Sequence, residues 1–494
     1  MKKNNAKSVE KAKKLFSKQD FPAVLEICRD LLADDLSQAP AKSKAVLYEL
    51  IGTTYQRLSD MDKATSYIAE AHRNDPDNKN IHLKLIAYCS NSNYSSKIQP
   101  IIRDALSKYG SDIATLVVCS AVYLRSPSLY LAAEHLIRKA NRLHLNGKQR
   151  NDILNLTIML HAKKINKPSC IKAIDQLLKS KEINQEYLTS AIGHLINFGE
   201  NERALELIRD NSDMLDHIIL RQYEGACLHE LGYQSESIIA YKGLIELVLE
   251  GEKVPVIPKS EKPVAEALKL TLKRIKNALN ELEIPFFLVA GTALGAVRDG
   301  DFLKNEKDLD LAIPNSVPRV QLIASLKSYG FGTKFEEQVR AGVTGEWCIP
   351  FGDLQTGVST DIFFARSDND KIKLGIDYTP PLTWEFSKFQ LTEINFHGEP
   401  YLVPDPVSQY LEEFYGPEWK TPQHYCAVLR SNALSAGSRP GANSYGYQRV
   451  ITLMLEQSFD KAIAYLDQMK LVIEDELLDQ LTEKIEVMRL EKNA

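Results

Sequence analysis

The grammar of this 494-residue chain changes once, near Gly251, and that change constrains the fold more than any single motif. Up to about Glu250, apolar residues recur at helical spacing and glycine and proline are scarce, which predicts a long run of packed helices. Residues 251–262, GEKVPVIPKSEK, have no helical period and read as a linker. Pro263 then opens an amphipathic helix through Glu283, with Val264, Leu268, Leu272, Ile275, Leu279 and Leu282 on one stripe. Beyond it, strand-like and helical segments alternate, so this half is expected to be α/β or α+β around a mixed sheet. Residues 435–446, SAGSRPGANSYG, read as a flexible loop by composition, and 447–494 return to helices. The expected divisions are therefore a helical region 1–250, a linker 251–262, a sheet domain 263–434, a loop 435–446 and closing helices 447–494.

Bulk properties narrow the function. A chain of this length needs two or three domains. With 44% hydrophobic and 26% charged residues it has the composition of a folded soluble protein. A net charge of −4 gives no broad electrostatic footprint for nucleic acid. The longest apolar run, residues 113–124, is far short of the ~20 needed to cross a bilayer, and it reads as a buried helix. The basic opening MKKNNAKSVEKAKKLF has no following apolar stretch, so no signal peptide is expected and the cytoplasm is the expected location. Seven dispersed cysteines without a CxxC pair argue against both a disulfide framework and a zinc site built on them. The sequons at Asn93 and Asn155 are expected to be chance.

Within the helical region the clearest unit is 48–76, YELIGTTYQRLSDMDKATSYIAEAHRNDP. Gly52, Tyr55, Ala64, Ile68, Ala71 and Pro76 fall where small residues let two helices approach, larger ones fill the gap and proline stops the second helix. The pattern resembles a tetratricopeptide repeat. Weaker copies run through Gly225, Leu228, Gly232, Ser237 and Tyr241, and through Ile192, Leu195, Gly199, Ala204 and Ile208. Such repeats stack into solenoids, so a protein partner on a concave face is an expected use.

The chemistry concentrates in residues 286–313, FFLVAGTALGAVRDGDFLKNEKDLDLAI. An apolar strand ends at Gly291-Thr292, where a glycine admits a phosphate close to the backbone and a threonine hydroxyl can donate to it. Arg298, just beyond, has the reach for bidentate phosphate contact, although a surface salt bridge with Asp299 or Asp301 is the plainer reading. Asp308 and Asp310 alternate with Leu309 and Leu311, so on a strand both carboxylates face one side and the leucines the other. Paired acids on a half-buried strand are costly without a cation, which suits a hard metal ion carrying a phosphate ester. A third acid, Asp361, interrupts the apolar run VSTDIFFA.

Three blocks in order, GTALGAVRDGDFLKNEKDLDLAI, STDIFFA and YLVPDPVSQYLEEFYGPEWKTP, are similar to the LicD/fukutin family over about residues 262–423. Many LicD relatives carry a longer acidic run before the last aspartate. Here Glu306 and Lys307 stand in that run, closer to the fukutin version. The resemblance implies a nucleotidyltransferase-like fold and transfer of a phospho-alcohol, such as phosphocholine or ribitol phosphate, from a CDP-activated donor to a glycan hydroxyl. It implies that Asp308, Asp310 and Asp361 hold Mg²⁺ or Mn²⁺, with Asp361 also helping to deprotonate the acceptor. Gly291, Thr292 and Arg298 would contact phosphate, and Glu306 and Lys307 would tune the metal or touch the donor. Tyr415 and Trp419 are expected in the core, the alternative being a lining of the acceptor or base pocket; Trp384 is expected in the core, and His397 is given no catalytic role. The alternatives are an interaction protein whose catalytic half is degenerate, and a nucleotidyltransferase that attaches NMP.

Overall fold

A computed structural model describes residues 3–34, 40–58, 60–90, 98–257, 263–304, 306–422 and 426–493. Residues 258–262 of the expected linker and the Asn93 sequon lie outside them. The chain forms two compact units, 1–160 and 161–494.

The first unit is helical throughout its described residues, from Lys3–Ser17 onward. The helices Ala41–Arg57 and Met61–Asn74 pair as the repeat spacing predicts. Gly52 is the reason they can: a Cβ there would lie 2.8 Å from Ile68 Cγ1 and 3.0 Å from the Ala64 carbonyl. The apolar run 113–124 forms the helix Ile113–Tyr123, with Leu116 and Cys119 fully buried, as expected of a core helix. Among the described residues no helix is long and apolar enough to cross a membrane.

The second unit combines helices with a sheet. Its strands are β1 Phe287–Leu288, β2 Asp308–Pro314, β3 Phe331–Gly332, β4 Cys348–Asp353, β5 Ser359–Asp368, β6 Lys371–Ile376, β7 Leu382–Ser387, β8 Gln390–Phe396 and β9 Glu399–Asp405. The main sheet runs β1-β2-β5-β4-β3, with β6 and β7 extending from the far end of β5, and β8–β9 form a separate hairpin. β2 and β5 are parallel and their other neighbours antiparallel, giving the mixed sheet that the alternation of elements predicts. The helix Ala265–Glu281 buries Leu268, Leu272, Ile275 and Leu279 as its stripe requires, while Val264 precedes it and stays exposed.

Two expectations are corrected. The division at 251–262 is not a boundary between compact units. Ile218, Tyr241, Leu244, Ile245 and Val248 share one hydrophobic core with the sheet, and the Ile257 amide bonds the Leu455 carbonyl at 3.1 Å. Residues 435–446 are not a loop either: a short turn at Ala436–Ser438 leads into the helix Arg439–Leu455. Pro440 sits in its first turn, where no amide donor is needed. The small residues serve close packing. Gly446 faces Leu429 and Met469, where a Cβ would come within 3.1 Å and 3.3 Å. The Ser444 hydroxyl bonds both His229 Nδ1 and Ser237 Oγ at 2.9 Å, tying this helix to the repeat-like hairpin.

Candidate active site

The site is built where β2 meets β5. Their parallel register sets Asp310 opposite Asp361 and Asp308 opposite Ser359. Side chains alternate along both strands, so Leu309, Leu311, Thr360 and Ile362 are fully buried on one face. Asp308, Asp310 and Asp361 share the other, half-buried face. Glu306, two residues before β2, joins them. One point above the Gly291 Cα lies 3.1 Å from Asp310 Oδ2, 3.2 Å from Glu306 Oε2 and 3.3 Å from Glu306 Oε1. A methyl group there would sit tight against both carboxylates and displace them by a few tenths of an ångström.

The electrostatics are those of crowded anions whose burial and mutual repulsion outweigh the nearby Lys307 and Lys334. Burial, then Asp308, Glu306 and Asp361, hold the Asp310 carboxyl well above the usual carboxylate range. Burial and then Asp308 push Glu306 up to about 8. Burial and then Asp308 push Asp361 up to about 7, with Lys334 pulling the other way. Asp308 is raised by burial and opposed by Lys307. All three aspartates keep some solvent contact. They are nonetheless surrounded by protein, as in a concave site open at one side. Among the described residues no ion pair within 4.0 Å reaches any of the four acids, and Glu306 Oε2 is buried with no hydrogen-bond partner.

This donor set, all carboxylate oxygen with one orphaned, has the chemistry of a hard divalent cation site. Its spacing is open. Among the described residues, the group whose ligand atoms close to within 4.8 Å of one another is His72, His82 and Asp104, in the first unit.

The phosphate-contact expectations are revised. The Gly291 amide donates to Asp310 Oδ2 at 2.9 Å, and the Asp310 amide donates to Thr292 Oγ1 at 2.8 Å. The Gly291 amide is thus committed to Asp310, and Thr292 braces the same residue as an acceptor. Ala290, at φ +44°, makes the sharp turn that aims the Gly291 amide, and its own amide donates to Tyr410 Oη at 3.0 Å. Arg298 forms a two-pronged pair with Asp299 (2.8 and 2.9 Å), the plainer of its two readings, because the adjacent carboxylate is its nearest partner. Lys307 is half-buried beside Asp308. Trp419 and Trp384 are buried as expected, and His397 Nε2 lies 3.3 Å from Asp301 Oδ1.

Sequence reasoning missed the cationic side of the site. A cavity of about 590 Å³ adjoins Asp361 and is lined by Glu230, Lys334, Tyr378, Tyr445 and Asn201 among others. Burial lowers the Lys334 amine, opposed by Glu230 and Asp361. Glu230 is raised by burial and opposed by Lys334. Among the described residues no carboxylate lies within 4.0 Å of Lys334; its Nζ sits 5.1 Å from the Phe335 ring centroid. A buried amine between two carboxylates, touching neither, leaves room for a ligand's anionic group. Lys334 lies in an ordinary turn, GTKFEE, and Glu230 at the end of a repeat-like helix, so no local motif marks either.

Residues 283–405 match the family model described as LicD/FKTN/FKRP, nucleotidyltransferase domain. Over 170 residues the chain is 29% identical to ribitol-5-phosphate transferase FKTN of Macaca fascicularis and 28% identical to that of Homo sapiens. In each case this covers 33% of this chain and 34% of the relative. The chain thus spans about a third of the length of the curated relatives it matches. Among solved structures it is similar to a tetratricopeptide repeat protein from Parabacteroides merdae (13% identity, TM-score 0.41, 49% of this chain and 92% of that one). It is also similar to the P58(IPK) TPR domain (12% identity, TM-score 0.20, 91% and 99%).

Proposed function

We propose, from a segment 283–405 that carries a LicD/FKTN/FKRP nucleotidyltransferase domain, that this chain is a metal-dependent phosphotransferase acting on a glycan. In this reading a phospho-alcohol such as ribitol phosphate or phosphocholine moves from a CDP-activated donor to a sugar hydroxyl. The observation that carries it is the β2–β5 register, which sets Asp310 beside Asp361 with Asp308 on the same face.

Asp308, Asp310, Asp361 and Glu306 are the residues that would hold Mg²⁺ or Mn²⁺. Such an ion supplies neutralisation of phosphate charge that these acids would otherwise repel. Gly291 and Thr292 orient Asp310. Lys334 is assigned the anionic end of the donor or acceptor, since it is the buried cation nearest Asp361 in the cavity. Asp361 is assigned the acceptor's proton, because it lines that cavity while Asp308 and Asp310 do not. The tyrosines and amides of the same cavity suit a polyhydroxyl acceptor.

The test is product analysis with CDP-ribitol, CDP-glycerol and CDP-choline, with and without Mg²⁺. Released CMP with the phospho-alcohol attached to a glycan supports the reading. Pyrophosphate release with attached NMP from a nucleoside triphosphate would replace it with nucleotidyl transfer. No turnover and no thermal shift with any donor would leave an interaction protein.

A further inference from the structure

Three helices of the first unit bring together a cluster that no part of the phosphotransferase reading uses. His72 lies in the last turn of the helix Met61–Asn74, His82 in the first turn of Lys79–Cys89, and Asp104 in Ile98–Tyr109. The tight connection between the first two helices stacks the imidazoles edge-on, with ring centroids 4.5 Å apart. One ligand atom from each of the three side chains lies within 4.8 Å of the others.

Two further observations point to a ligand. His82 Nε2 lies 3.1 Å from the Ile101 carbonyl, which can only accept, so that nitrogen carries the proton and Nδ1 presents a bare lone pair. His82 Nδ1 is buried with no hydrogen-bond partner, and so is His72 Nε2. His82 itself is fully buried. A buried lone pair on His82 and an unpartnered ring nitrogen on His72, both beside Asp104, are unfavourable as they stand. The outer contact is also the right one: a metal-binding imidazole commonly gives its second N–H to a backbone carbonyl, which fixes tautomer and ring direction.

We propose that His72, His82 and Asp104 form a binding site for a zinc-type divalent transition metal, with a fourth position left to water. Two imidazole nitrogens and one carboxylate oxygen are a borderline donor set that such ions prefer over Mg²⁺. Donors on one tetrahedral ion at metal–nitrogen distances near 2.0–2.1 Å lie about 3.3 Å apart, so the cluster must tighten by roughly an ångström or more. Lys108 now pairs with Asp104 at 3.1 Å, but it also lies 3.6 Å from Asp77 and retains a partner if the ion displaces it. Burial keeps both imidazoles below their ordinary range, hence neutral and able to ligate. An ion here would clip three consecutive helices together.

The test uses the full chain, stripped with chelator and titrated with Co²⁺ and then Zn²⁺. The Asp308→Asn/Asp310→Asn variant removes the acidic site as a competitor. Expected are one equivalent of Co²⁺ with the visible absorption of a four-coordinate ion in that variant, displaced by Zn²⁺, and a loss of affinity of at least 100-fold on adding His72→Gln. Asp104→Asn, at a half-exposed side chain that can change without unfolding the protein, should weaken binding at least tenfold. Absence of the four-coordinate signal, or a signal unmoved by both substitutions, would overturn the site and leave a stacked histidine pair only. Phosphotransferase activity does not enter either outcome.

Discussion

Replacing Asp361 by asparagine separates a site built to hold a cation from one built as ordinary structure. The carboxyl rises from 3.8 to about 7 in the fold, driven first by burial and then by Asp308. A group whose folded pKa is raised binds its proton more tightly in the native state. The stability it contributes is therefore full below about 3.8, declines as pH rises through 7, and is flat beyond. At about 1.36 kcal/mol per pH unit the whole rise amounts to about 4 kcal/mol of destabilisation above pH 7. Partial solvent contact reduces this, so about 2 kcal/mol is the working figure. Asparagine does not titrate. In chelator at pH 8 the Asp361→Asn protein should melt about 4–6 °C higher than the parent, taking about 2–3 °C per kcal/mol for a unit of this size. The gain should shrink toward zero as pH falls from 7 to 4. Mg²⁺ should raise the parent's Tm and narrow the gap, and transfer activity should be lost. Thermal denaturation across pH, with and without Mg²⁺, measures all of this. A variant less stable than the parent at pH 8, or a difference that does not change with pH, would refute the reasoning, because it would mean that the carboxylate has a stabilising partner.

Three further substitutions test neighbouring statements. Lys334→Met should raise KM for donor or acceptor at least tenfold while leaving Tm unchanged or slightly higher, since the buried amine has no ion pair to lose; steady-state kinetics and a melt read both. Gly291→Ala sets a Cβ 3.1 Å from Asp310 Oδ2 and should cost at least 100-fold in kcat with a Tm change under a few degrees. Gly225→Ala drives a Cβ to 2.5 Å from Tyr241 Cε1, a fully buried ring, and should destabilise the second unit by about 1–3 kcal/mol in urea titration.

The parts that were legible in the sequence are those where one local pattern has one physical meaning. The stripe Leu268–Leu272–Ile275–Leu279 can only be the buried face of a helix. Asp308-Leu309-Asp310-Leu311 can only put both acids on one face of a strand. Where a pattern has two meanings, the sequence misleads. A run of serine, glycine and alanine serves equally for a mobile loop and for a helix that must lie close to its neighbours. Residues 435–446 are the second, as the buried Ser444 and Gly446 reveal. A glycine-threonine turn can cradle a phosphate or brace a neighbouring acid, and here Asp310 takes both groups. Lys334 and Glu230 carry no local signal at all, since their meaning comes from tertiary packing against Asp361.

That packing also decides what the helices between residues 167 and 250 are for. A detachable docking platform would let the sheet domain fold without them. Instead Ile218, Tyr241, Leu244, Ile245 and Val248 are all buried in the sheet's own core, and Glu230 and Asn201 wall the cavity beside Asp361. Each such side chain contributes about 1.5–3 kcal/mol when fully buried, so losing five removes about 10 kcal/mol. A whole domain's stability is only about 5–15 kcal/mol. A fragment 251–494 should therefore fail to fold, whereas 164–494, which begins after the helix Gly147–Lys163 ends, should show a cooperative melt and retain the Mg²⁺ response. Circular dichroism melts of the two fragments decide between the arrangements: a folded 251–494 would show that the hairpins only lean on the sheet, and their place in the cavity beside Asp361 would have to be given up.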